Sequence, residues 1–151
     1  IAELPRSAPL AVTLAASGFI GRAGAALVPS AELASLLRLD AMPDFVLLSV
    51  LPVVIAMLGL FALSPIMTAI FIGSLFGSLP VLPADPTLLA LSISCGWALS
   101  MTFSPFATIV LLMQRVGGLA PLTVTWRWNI VFTALAALTL VPFFAVLTGG
   151  R

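Results

Sequence analysis

The groups in this chain with chemical potential are hydroxyls and freed backbone atoms, gathered in one short phrase that occurs twice: Ser64-Pro65-Ile66-Met67-Thr68 and Ser104-Pro105-Phe106-Ala107-Thr108. Both read S-P-x-x-T, and each falls inside a long apolar run. Proline lacks a backbone donor and its ring clashes with the carbonyl four residues earlier, so each phrase is expected to break a helix. Ser64, Thr68, Thr102, Ser104 and Thr108 offer hydroxyls at the breaks, and the carbonyls freed by Pro65 and Pro105 add further oxygens. Such hard donors suit an alkali cation such as Na⁺, while the N–H groups opening each following half-helix suit an anion. Neither site requires a buried carboxylate. Unpaired backbone groups in hydrocarbon cost several kcal/mol each, so breaks at membrane depth persist only where protein or a watery cavity receives them.

Other chemistries are excluded by absences. With no His and no Lys, the chain cannot form a Ser-His or Ser-Lys pair and lacks the commonest zinc ligand. Glu3, Glu32, Asp40, Asp44 and Asp85 all lie outside the long apolar runs, which removes an intramembrane carboxylate dyad. No enzyme activity, cofactor or bound metal is therefore expected, beyond Na⁺ as a coupling ion. The single cysteine, Cys95, cannot form an intrachain disulfide. A net charge of +1 gives no pull on nucleic acid. Arg22 lies well inside an apolar segment, whereas Arg115 closes one. It either snorkels to the interface or faces a cavity and contacts an anionic solute.

The elements that must position these groups are membrane helices. Hydrophobic residues make up 62% of the 151 and charged residues 7%, against about 25% charged in a soluble domain. Several uncharged stretches reach about 17 to 20 residues, enough to cross ~30 Å of hydrocarbon. The chain starts at Ile1 with no signal-peptide pattern and reads as a fragment of a longer protein. Segment 8–28 is expected to be a helix in which Gly18, Gly21 and Gly24 make a smooth strip for close helix packing. Segment 30–43, with Glu32, Arg38 and Asp40 among leucines, is expected to be an amphipathic arm on the membrane surface.

Segment 45–82 consists of two apolar arms joined only by Ser64 and Pro65. A loop so poor in polar residues fits a re-entrant helical hairpin with its tip at 64–65, buried in protein. Segment 87–116 is too long for one simple span and too short for two, as expected of a discontinuous helix unwound at Thr102–Pro105. A final helix over 128–148 follows Trp126, Arg127 and Trp128, an interfacial belt. In this topology Arg6, Arg115 and Arg127 share one side. Glu32, Asp40, Asp44 and Asp85 share the other with Arg38 and Arg151, so the first group is assigned to the cytoplasm.

This order of glycine-bearing helix, surface arm, hairpin with a Ser-Pro tip, broken helix with a second Ser-Pro and final helix resembles the C-terminal half of ion-transporter-superfamily secondary carriers. These include the divalent-anion:sodium symporters and the carriers of C4-dicarboxylates, citrate and arsenite. The resemblance runs from Leu10 to Leu147. In the symporters, Ser-Asn-Thr-type motifs at the tip and the break bind sodium and substrate carboxylates. By position, Ser64, Pro65 and Thr68 match the tip, and Ser104, Pro105 and Thr108 the break, although neither phrase carries the Asn. The resemblance implies an all-α polytopic protein that is half of an inverted repeat, with the N-terminal half missing here. It also implies a homodimer and secondary transport of a small anionic solute, coupled to Na⁺ or H⁺, across the bacterial inner membrane. The alternative from another class is a non-transporting membrane subunit or scaffold, whose glycine-rich faces only pack.

Overall fold

The computed structural model describes residues 4–29, 42–61 and 64–150, with Glu32 and Ser35, and among them the chain is helical and contains no strand. Its elements are α1 (Leu4–Leu27), α2 (Asp44–Leu58, prolonged by a 3₁₀ turn over Gly59–Phe61), α3 (Pro65–Gly77), α4 (Pro86–Phe103), α5 (Thr108–Gly117) and α6 (Ile130–Thr148), the last preceded by a π-helical turn over Thr123–Trp128. The surface arm expected over 30–43 lies for the most part outside the described residues. Of it, Glu32 and Ser35 are helical and exposed.

Local chemistry sets the helix ends. Asp85 caps α4 by accepting from the N–H groups of Thr87 (2.8 Å) and Leu88 (3.1 Å), with Pro86 as the first helical residue, where a missing N–H costs nothing. Pro65 likewise opens α3, so its ring starts a helix instead of kinking one. Gly118, at φ 67°, ends α5 in the left-handed region that glycine enters without strain.

Among the described residues, three helices are long and apolar enough to cross a membrane: Asp44–Phe61, Pro86–Gly117 taken across its break, and Ile130–Thr148. These are the helices of an integral membrane protein. α3 is equally apolar, but its 13 residues reach only about 20 Å.

α2, α4 and α6 form one layer of nearly equal lengths. Leu48 lies beside Ser92, Ile55 beside Gly96 and Gly59 beside Ser104, so α2 and α4 run parallel. Ser49 reaches Leu140 and Thr102 reaches Thr133, so α6 runs antiparallel to both. The core of the layer holds Leu48, Ile55 and Phe144, all without solvent exposure, and α3 and α4 add Ile72, Phe76 and Leu89 to it. α3 packs against α4 on one side and against the Gly18–Gly21–Gly24 strip of α1 on the other. Asp44 and Asp85 stand at one end of the layer, where α2 and α4 begin. Arg127 stands at the other, since Trp126 stacks on Phe103 at the end of α4.

Candidate functional site

The seam between α2 and α4 is built from small residues spaced four apart, Ser92, Gly96, Ser100 and Ser104, which fall on one face of α4. All four are buried. A Cβ on Gly96 would stand 2.9 Å from the Pro52 Cα and 2.8 Å from the Ile55 Cδ1, so the two backbones approach as closely as glycine permits.

At the upper end of this seam the two interrupted helices meet. α2 tightens into its 3₁₀ turn at Gly59, and α4 stops at Phe103, with Ser104 extended at φ −81°, ψ 125°. The Ser104 hydroxyl donates to the Gly59 carbonyl at 2.6 Å and accepts from the Phe106 N–H at 3.1 Å. It thereby ties the end of one helix to the break in the other. Ser100 lies against Gly59 in the space a Cβ would take. Its Oγ is buried and has no hydrogen-bond partner among the described residues.

The remaining hydroxyls diverge. Thr102 bonds back to the Leu99 carbonyl (2.9 Å) and pairs with the Thr133 hydroxyl of α6 (3.0 Å). Thr68 is buried and bonds back to the Ser64 carbonyl at 3.3 Å. Ser64 is half-buried at the N-cap position of α3 and makes no capping bond, and Pro65 is buried behind it. Pro105 is half-buried in the turn between α4 and α5. Thr108 opens α5, exposed, beside a groove that also holds Gln114 and Arg115. Arg22 is exposed on α1, where it shares a shallow groove with Gly18, Phe19 and Ile70.

Of the residues singled out by sequence, only Ser104 lies at this junction, with Gly59 and Ser100, which sequence reasoning did not place in a site; Thr102 faces away from it, onto Thr133 of α6. The four-residue spacing of Ser92, Gly96, Ser100 and Ser104 was the available signal. Beside Thr133 an otherwise apolar cleft opens between α2, α4 and α6, lined by Val53, Met57, Leu99, Phe103 and Ala137. Among the described residues no group of His, Cys, Asp or Glu is arranged to hold a metal ion. No family model, curated protein or solved structure matches the chain.

Proposed function

We propose that the chain is half of the membrane-embedded core of a secondary active transporter, moving a small carboxylate-like anion with Na⁺ or H⁺ as the coupling ion. The observation that carries this reading is the junction of Gly59, Ser100 and Ser104. Two interrupted helices meet there, and one buried hydroxyl is left without a partner among the described residues. Such a group costs about 1–3 kcal/mol, a cost relieved when a bound ion, a water or a second arrangement of the helix ends supplies the missing bond. In this reading Ser64, Pro65, Thr68, Thr102, Ser104, Pro105 and Thr108 border the path of ion and solute. The α2–α3 pair is its re-entrant hairpin, and Arg22 meets the anion from the outer face of α1. The opposing half is an inverted copy elsewhere in the same protein, which works as a homodimer in a bacterial inner membrane. The end carrying Arg127 faces the cytoplasm.

One observation favours the second reading, a non-transporting membrane subunit. The hydroxyls of Thr68, Thr102 and Ser104 all bond to carbonyls of this chain, as purely structural hydroxyls do. Uptake of small carboxylates into proteoliposomes holding the full-length protein, under an inward Na⁺ or H⁺ gradient, separates the two. Ser100→Ala and Ser64→Ala are expected to lower initial uptake about tenfold, equivalent to ~1.4 kcal/mol of lost interaction, while the protein elutes and melts like the parent. Parental uptake in both variants removes the site. Absence of gradient-driven uptake in the parent favours the subunit.

A further inference from the structure

The last third of the chain has a charge asymmetry of its own. No acidic residue follows Asp85, whereas Arg115, Arg127 and Arg151 do. Arg127 stands between the exposed indoles of Trp126 and Trp128 at the end of the α2–α4–α6 layer. α5 leaves the same end. Its inner side is narrow: Ala107 and Val110 bury against Val124, with Met101 and Leu119 at the edge. Ile109, Leu112, Met113 and Val116 are exposed at 42, 52, 43 and 79%, and their i, i+3, i+4, i+7 spacing makes them one stripe. Gln114 and Arg115 are exposed away from it.

α5 is poorly suited to continuing a crossing. α4 already matches α6 in length, at 18 residues against 19, and the Thr102–Thr133 bond sets its last turn beside the first turn of α6. A further ten residues add only about 15 Å, after which the chain is back at Phe103 through Trp126. Projection into water is no better, because four large apolar side chains would be left bare in one strip. We propose that α5 lies in the plane of an anionic bilayer leaflet, with Ile109, Leu112, Met113 and Val116 in the acyl boundary and Arg115 and Arg127 on lipid phosphates. The partner is the leaflet, because a rim that carries Arg115 and Arg127 and, among the described residues, no acid complements anionic headgroups while the indoles suit the headgroup level. In this arrangement the Gly59–Ser100–Ser104 junction stands at the leaflet, so a transport path through it opens at that surface.

The test uses the full-length protein with Cys95→Ser, carrying one bimane-labelled cysteine at a time (Ile109→Cys, Leu112→Cys, Met113→Cys, Val116→Cys), in nanodiscs of 3:1 zwitterionic to anionic phosphatidyl lipid. Lipids brominated near the headgroup are expected to quench all four positions to a similar, shallow depth. A depth that changes steadily by about 1.5 Å per residue along α5 would make it a crossing helix and overturn the proposal. Absence of quenching by any brominated lipid overturns it too, showing a protein-covered stripe. Separately, spin-labelled anionic lipid should lose about fivefold of its preference over zwitterionic lipid for each of Arg115→Gln and Arg127→Gln. An unchanged preference removes the headgroup contact.

Discussion

The Ser92 hydroxyl donates to the Leu48 carbonyl at 2.7 Å, with both residues fully buried. That carbonyl is the one Pro52 leaves without an intrahelical donor, since the residue four positions on has no N–H. α4 thus repairs a defect that α2 carries in its own sequence.

A double-mutant cycle tests the repair. Ser92→Ala is expected to destabilise by about 1 kcal/mol, because it leaves a buried acceptor bare. Pro52→Ala restores an N–H to α2, and in that background Ser92→Ala should cost close to nothing. The midpoint of unfolding in mixed micelles reads both. Equal costs in the two backgrounds would show that Leu48 finds another donor.

The close approach of α2 and α4 rests on Gly96. Gly96→Ala places a methyl within 2.9 Å of the Pro52 Cα, which is backbone and cannot turn aside, so a loss of about 1–3 kcal/mol is expected. Gly77→Ala serves as its control, because nothing lies within 4 Å of a methyl there. That substitution should be neutral or slightly stabilising through helix propensity.

The same comparison applies to α1 and α3. A Cβ on Gly21 would stand 3.0 Å from the Met67 carbonyl oxygen and 3.2 Å from the Phe71 nitrogen, whereas one on Gly18 meets only the Ile70 Cδ1, at 3.8 Å. Gly21→Ala is expected to lower the unfolding midpoint and Gly18→Ala to leave it unchanged. A matching drop in both would mean that the strip is buried along its whole length against something besides α3.

What sequence alone made legible, and what it did not, follows from these contacts. The apolar runs, the break at Ser104-Pro105 and the start of α4 at Asp85-Pro86 are local properties, fixed by composition, proline geometry and capping. The partners of the hydroxyls are not local. Ser92 and Ser100 occupy the same face of α4, yet Ser92 bonds to Leu48 and Ser100 to no described residue, because Pro52 frees the Leu48 carbonyl whereas the Gly59 carbonyl beside Ser100 is taken by Ser104. Where the break sits in the layer likewise depends on α6, whose Thr133 pairs with Thr102 beside the first turn of that helix. Read as one stretch, 87–116 hid the change at Thr108 from a packed helix to one with an exposed apolar stripe.

Ser100 and Ser104 sit one helical turn apart, but their removal should have opposite consequences for stability. Ser104→Ala strips the donor from the buried Gly59 carbonyl and is expected to cost about 1–3 kcal/mol, so a loss of uptake in that variant would not distinguish a binding role from an unfolded junction. Ser100→Ala removes a hydroxyl that has no partner among the described residues and spares the protein its burial, so the unfolding midpoint should hold or rise. If Ser100 serves an ion or solute, uptake falls while stability holds. Its ligand-induced gain in melting temperature, expected in the parent on adding Na⁺ or carboxylate, should disappear as well. If it serves neither, Ser100→Ala is simply a more stable protein with unchanged uptake. Measuring melting with and without Na⁺ in the parent, Ser100→Ala and Ser104→Ala therefore separates packing from binding at the junction where the interruptions of the two helices meet.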